Sequence, residues 1–183
     1  MSTDATYWNA RYQAGHSSGP GSADGPVLRK VEWLRDAKMQ GVKTISEIGC
    51  GDFNFGKRVV DLSPTCVYRG YDISAAIVGS NQAKFGQPDR VNFYTIEKPF
   101  RQGDLLLCVD VLFHISDDAE YAAMLESLKR AWTKYLAVSA YEYEGQRRGH
   151  VHIRKFDPSF FGDPILREIV EEDGSMYFYI FKK

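Results

Sequence analysis

The sequence has no excess of either charge: 23 lysines and arginines stand against 24 aspartates and glutamates, a formal net charge of −1. A chain so balanced has no overall attraction for phosphate polymers or anionic lipid, so neither nucleic acid nor a membrane is expected as a partner. Long apolar runs are missing too, since the stretch from Leu105 to Phe113 is broken by Asp110 and falls well short of the roughly 20 residues that span a bilayer. The opening MSTDATYWNARYQAG has neither the cationic nor the apolar part of a secretory leader, and three cysteines complete no disulfide framework, so a cytoplasmic protein is expected. Cys50, Cys66 and Cys108 show no zinc spacing and sit in or beside predicted strands, where a thiol behaves as a small hydrophobe. No metal is expected.

What is present is a chain of 183 residues, 44% of them hydrophobic, enough for one core and hardly two. The expectation is a single domain, with N-terminal helices and a Gly/Ser-rich loop over 1–40 and an α/β core over 41–183. Apolar spacing predicts an amphipathic helix from Val27 to Met39, with Arg29, Lys30, Glu32, Arg35 and Asp36 off its apolar face, after a loop from Gly15 to Gly25. Predicted strands at Thr44–Ile48, Thr65–Asp72, Val91–Thr95, Asp104–Val109 and Tyr135–Ser139 alternate with helices at Phe55–Leu62, Ser74–Phe85 and Ala119–Trp132, the pattern of a mainly parallel sheet. Ile165–Val170 and Met176–Phe181 read as a closing antiparallel pair turning at Asp173-Gly174. Trp8, Trp33 and Trp132 fall in helical patterns and read as core.

The first strand-to-helix turn, EIGCGDFNFG from Glu47 to Gly56, has glycines at 49 and 51 that permit a tight turn and a close ligand approach. The second strand ends at Asp72, about 20 residues on, where a carboxylate can accept from both hydroxyls of a ribose. A dinucleotide would meet both conditions. Asn54 replaces the third glycine of that fingerprint, however, and Glu47 and Asp52 would repel a diphosphate while suiting a sulfonium.

EIGCGD, GYDIS and DLLLCVDVLFHI resemble, in order and spacing, the first, second and fourth motifs of class I S-adenosylmethionine-dependent methyltransferases. The likeness is nearest to small bacterial members with a YWxxRYxxGxxSGxGS stretch, here Tyr7 to Ser22, and an HVxxRKF stretch, here His150 to Phe156. It implies a Rossmann-like three-layer sandwich with a seven-stranded sheet, and S-adenosylmethionine as cofactor. It further implies that Glu47, Gly49 and Gly51 floor the methionine part, Asp72 holds the ribose, and Ile73, Thr95, Ile96 and Glu97 meet the adenosine. Asp110 and Val111 would stand beside the methionyl group, and Arg11 and Tyr12 over its carboxylate. Phe53 departs from the smaller or polar residue common at its position, and SGPGSADG from the plainer SGxGSxG.

For the acceptor, His114 lies on the rim past the fourth strand, and an imidazole of near-neutral pKa suits a general base. An extended chain would turn His150 and His152 to one side, near Tyr141 and Glu142. His114, His150 and Asp110 are the catalytic candidates, against the alternative that each histidine is structural. Arg147, Arg148, Arg154 and Lys155 form a basic cluster that reads as a solvated face or, beside the acceptor, as a site for an anion. The expected activity is methyl transfer to a small polar acceptor, anionic or sugar-like, at a hydroxyl of a sugar or glycan precursor. A nicotinamide-dependent oxidoreductase or epimerase and a catalytically silent cofactor-binding subunit stay open as alternatives.

Overall fold

A computed structural model describes residues 3–96, 100–145, 149–171 and 175–183. Helix α1 (Thr3–Gln13) is followed by a short 3-10 turn at Pro20–Ser22 and α2 (Asp24–Asp36); then come β1 (Thr44–Ile48), α3 (Asn54–Leu62), β2 (Val67–Asp72), α4 (Ala75–Phe85), β3 (Val91–Thr95), β4 (Gly103–Cys108), α5 (Asp118–Ala131), β5 (Trp132–Tyr141), β6 (Leu166–Ile169) and β7 (Met176–Lys182). The seven strands lie in the order β3-β2-β1-β4-β5-β7-β6. The first five named in that order pair parallel, and β7 pairs antiparallel with both β5 and β6. This is the expected three-layer Rossmann-like sandwich with an antiparallel C-terminal edge; the expected Asp173-Gly174 turn lies outside the described residues.

Alternation along the strands packs both faces of the one sheet. Leu105 and Leu107 of β4, with Phe178 and Ile180 of β7, face α2 and α3, and Leu106, Cys108, Tyr179 and Phe181 face α5. Helices on both faces explain why β4 reads as an unbroken apolar run. All three cysteines are buried.

Two boundaries differ from expectation. Helix α2 begins at Asp24, so the preceding loop is shorter, its chain turned by the Pro20–Ser22 segment. Trp132 opens β5 rather than ending α5: its backbone is extended (φ −108°, ψ 148°), and its buried ring lies under the Lys183 ammonium, 4.3 Å away. No helix among the described residues is long and apolar enough to cross a membrane.

Candidate active site

The carboxyl ends of the parallel strands open into one trough of about 610 Å³, roofed by α1 and the loop before α2. Following the sheet order, it runs from Ile96 beyond β3 and Asp72 of β2, past Gly49 and Asp110, to Tyr141 of β5 and Met176 of β7. This is where ligands bind in open α/β sheets.

At the β2 end the turn is closed on itself. Gly49 and Cys50 donate to the Tyr71 carbonyl (2.7 and 3.0 Å), Gly51 to the Asp72 carboxylate (2.9 Å), Asp52 to Ser18 Oγ (2.9 Å), Phe53 to the Cys50 carbonyl (2.9 Å) and Asn54 to Asp52 (3.3 Å). Every N–H from Gly49 to Asn54 thus has a partner within the chain. Gly49 is required at φ 70°, since a Cβ there would come within 2.3 Å of Val111 Cγ2. Phe53 also sits at φ 65°, and its ring is gripped by Tyr68, Phe85 and Phe93 at centroid distances of 4.9–5.3 Å. That packing accounts for an aromatic residue at this position.

Asp72 is buried at the trough floor and also accepts from the Ser74 N–H (2.9 Å). It is not the cap of α4, a role taken by Ser74 Oγ. Burial, outweighing these hydrogen bonds, raises its pKa to about 6. Burial raises Glu47 further, to about 8, although the Tyr68 hydroxyl donates to it. Glu47 is therefore protonated near neutral pH, and the expected repulsion of a diphosphate by two charged acids is corrected to Asp52 alone. Asp52 itself receives the Ser18 N–H (3.1 Å) and the Ser22 hydroxyl (3.2 Å), which pins the loop onto the turn. The N–H groups of residues 49–54, being occupied, are not offered to a pyrophosphate, which counts against a dinucleotide independently of charge.

Of the other expected cofactor residues, Arg11, Tyr12, Ile73, Ile96, Asp110 and Val111 line the trough, Thr95 does not, and Glu97 lies outside the described residues. Tyr12 reaches Ser18 Oγ (3.0 Å).

In the centre, Asp110 takes the left-handed conformation (φ 58°). The Ser139 hydroxyl accepts from its N–H (2.6 Å) and donates to its carboxylate (2.8 Å), and Lys30 pairs with the other carboxylate oxygen. Lys30, 1% exposed, was not among the expected site residues. The expectation that it lies off the apolar face of α2 is thereby corrected: three residues after Val27 and four before Leu34, it shares their buried face, drawn in by its pairing with Asp110.

His114 and His150 both line the trough, stacked at a centroid distance of 5.0 Å, with Tyr7 on His150 (4.2 Å) and the edge of Trp8 on His114 (5.0 Å). Trp8 is thus a wall of the site and not core, because α1 crosses the opening. Burial, then the neighbouring His150, lowers His114 to a pKa of about 4, which corrects the near-neutral value expected of it. His152 turns away and its Nδ1 lies 3.8 Å from Asp118, since the chain bends at Gly149 and His150 instead of staying extended. Glu142 is also outside the trough, bound to Arg167 (2.8 Å) and the Tyr179 hydroxyl. Arg154 is bound to Asp118 (2.7 Å) and the Ile115 carbonyl (2.7 Å) and does not line the trough, nor does Lys155; Arg147 and Arg148 lie outside the described residues. Phe113, Glu171 and Met176 complete the β5 end, and no sequence pattern joined them.

No family model and no curated protein matches the chain. Solved structures do. A magnesium protoporphyrin IX methyltransferase from Synechocystis PCC 6803 with bound SAH is similar at a TM-score of 0.71 and 16% identity, covering 96% of each chain. The N-methyltransferase NodS from Bradyrhizobium japonicum WM9, in complex with S-adenosyl-l-homocysteine, is similar at a TM-score of 0.69 and 13% identity, over 100% of this chain and 99% of that one. An S-adenosylmethionine-dependent methyltransferase from Clostridium acetobutylicum ATCC 824 is similar at 0.62 and 11%, over 97% and 96%. The likeness is one of fold.

Proposed function

We propose that the protein is an S-adenosylmethionine-dependent methyltransferase acting on a small polar acceptor, at a hydroxyl of a sugar or glycan precursor. The observation that carries this reading is the β2 end of the trough, where an Asp72 carboxylate stands ready for a ribose while the N–H groups of residues 49–54 are already taken within the chain. The remaining residues fit the same cofactor. Ile73 and Ile96 offer apolar surface for an adenine, Glu47, Gly49 and Gly51 a floor for the methionine part, and Arg11 and Tyr12 groups for its carboxylate, with Asp110 and Val111 alongside. The fold shared with three methyltransferases supports it as well.

When bound, that cofactor supplies a methyl group on a sulfonium, and transfer is an in-line displacement in which the methyl–sulfur bond breaks as the methyl–oxygen bond forms. The chain aligns the acceptor and removes the hydroxyl proton. His114 is neutral at physiological pH because burial holds its pKa near 4. So weak a base suffices, because the proton becomes strongly acidic as the oxygen gains its methyl group. Asp110, fixed by Ser139 and Lys30, orients the hydroxyl, and Trp8 and the His114–His150 stack exclude water.

Calorimetric titration with S-adenosylmethionine, S-adenosylhomocysteine and NAD in parallel tests the reading. Binding of the first two alone is expected; binding of NAD, or of none of the three, overturns it. Replacement His114→Asn should leave both affinities intact and lower turnover, and full activity would remove His114 from the mechanism.

A further inference from the structure

The β5 end of the trough differs in charge from what a phosphorylated or carboxylated acceptor would need. Besides the two histidines, the basic side chains that line the trough among the described residues are Arg11 and Lys30. Lys30 is committed to Asp110 and lies 3.5 Å from the Gly21 carbonyl, so that pair is close to neutral as a unit. Arg11 belongs to α1 and donates to the Ser17 carbonyl (2.7 Å). Beyond Asp110 the walls are the rings of Phe113 and Tyr141, set edge to face at 5.4 Å, and the buried Met176.

One carboxylate stands among them. Glu171 is aimed by Ser175, whose hydroxyl donates to Oε2 (2.7 Å), and by Tyr141, whose hydroxyl donates to Oε1 at 3.4 Å. Burial and the neighbouring Glu171 raise the Tyr141 pKa, so the phenol keeps its proton and remains a donor. A carboxylate fixed by two hydroxyls beside two aromatic rings and a thioether is suited to an organic cation: the acid supplies the counter-charge, and an aromatic face attracts a cation where it would repel an anion.

We infer that the acceptor carries a positive charge, an amine held by Glu171 beside Tyr141 and Phe113, with the methylated atom directed back toward Asp110. This rests on the methyltransferase reading for the word acceptor, but the charge preference belongs to the cavity itself. It replaces the anionic acceptor suggested by the basic cluster around Arg154.

Three phenols of similar size test it: tyramine, a cation; tyrosol, neutral; and 4-hydroxyphenylacetate, an anion. Each is titrated into the full chain with and without S-adenosylhomocysteine. Tyramine is expected to bind roughly tenfold or more tighter than 4-hydroxyphenylacetate, the scale of one charge-assisted hydrogen bond. The isosteric Glu171→Gln should bring the three within about threefold of one another. Glu171→Lys should reverse the order, with S-adenosylhomocysteine affinity unchanged in both variants. Equal affinities, no binding by any of the three, or a preference that survives Glu171→Gln overturns the inference. Failure of S-adenosylhomocysteine to bind would instead strike the proposed function, and the amine preference is read independently in its absence.

Discussion

From Gly49 to Asn54 the trough is lined by backbone whose N–H groups all have partners, whereas from Asp110 to Met176 it is lined by side chains from five segments far apart in sequence. The first end is a shape set by positive φ angles and tight packing; the second is an arrangement of charges and rings. A site of the first kind tolerates almost no substitution, and one of the second kind can change its ligand by exchanging a few side chains. On the proposed function, a rigid cofactor end beside an acceptor end built of side chains is the division of labour expected of a group-transfer enzyme.

The largest expected effect breaks the rigid end. Gly49→Ala forces a left-handed Ala and drives its Cβ into Val111, and should cost about 2–5 kcal/mol in urea unfolding, with S-adenosylhomocysteine binding abolished. Gly149→Ala at the other end is the control. Gly149 has φ 58° with nothing near its missing Cβ, so strain alone remains, about 1–2 kcal/mol. Equal losses would mean that packing against Val111 contributes nothing.

Asp72→Ala should weaken S-adenosylmethionine and S-adenosylhomocysteine alike by roughly 1.5–3 kcal/mol. A pH titration sharpens this. With its pKa raised to about 6, Asp72 gains a proton and loses acceptor capacity as the pH falls through 6, so parent affinity should drop there, and Asp72→Asn should abolish the dependence. An affinity flat from pH 5 to 8 would remove Asp72 as the ribose ligand.

At the junction of the two ends, Lys30→Met, Asp110→Asn and the double variant should give a coupling energy of about 1–3 kcal/mol by denaturation. That is less than a fully buried pair would show, because the Asp110 side chain is 21% exposed to the trough. Additive effects would mean that Lys30 does not hold Asp110.

The same contrast explains what could be read from sequence. The turn glycines, the Asp72 register and the alternation of strands with helices are local or periodic features, because a tight turn needs glycine and parallel strands need helical crossovers. The meeting of Trp8, Lys30, His114, Tyr141 and Glu171 is created only when α1 and α2 fold over the sheet edge, and no spacing encodes it. The expectation that His152 would share the side of His150 failed for a similar reason. An i, i+2 rule holds in a strand, and here the chain turns at Gly149 and ties His152 N–H to the Phe113 carbonyl at 2.7 Å. His114 was correctly brought to the rim, but burial, which sequence does not reveal, set its pKa.

The last expected effect concerns a charge that the rigid end does without. Glu47 titrates near 8 in the folded chain against an ordinary 4.5, because it is wholly buried. Between those values the unfolded chain releases a proton that the folded one keeps, so this group's contribution to stability is complete below about pH 4.5 and is lost as the pH rises toward 8. Glu47→Gln retains an acceptor for the Tyr68 hydroxyl but cannot ionise. Relative to the parent it should gain stability steadily from pH 5 to 8, by roughly 3–4 kcal/mol at the upper end, measured as the difference in urea midpoints. A difference that stays constant over that range would mean that Glu47 is charged in the fold. The floor beneath Gly49 and Gly51 would then carry a negative charge, and electrostatic repulsion would join the occupied N–H groups in excluding a diphosphate.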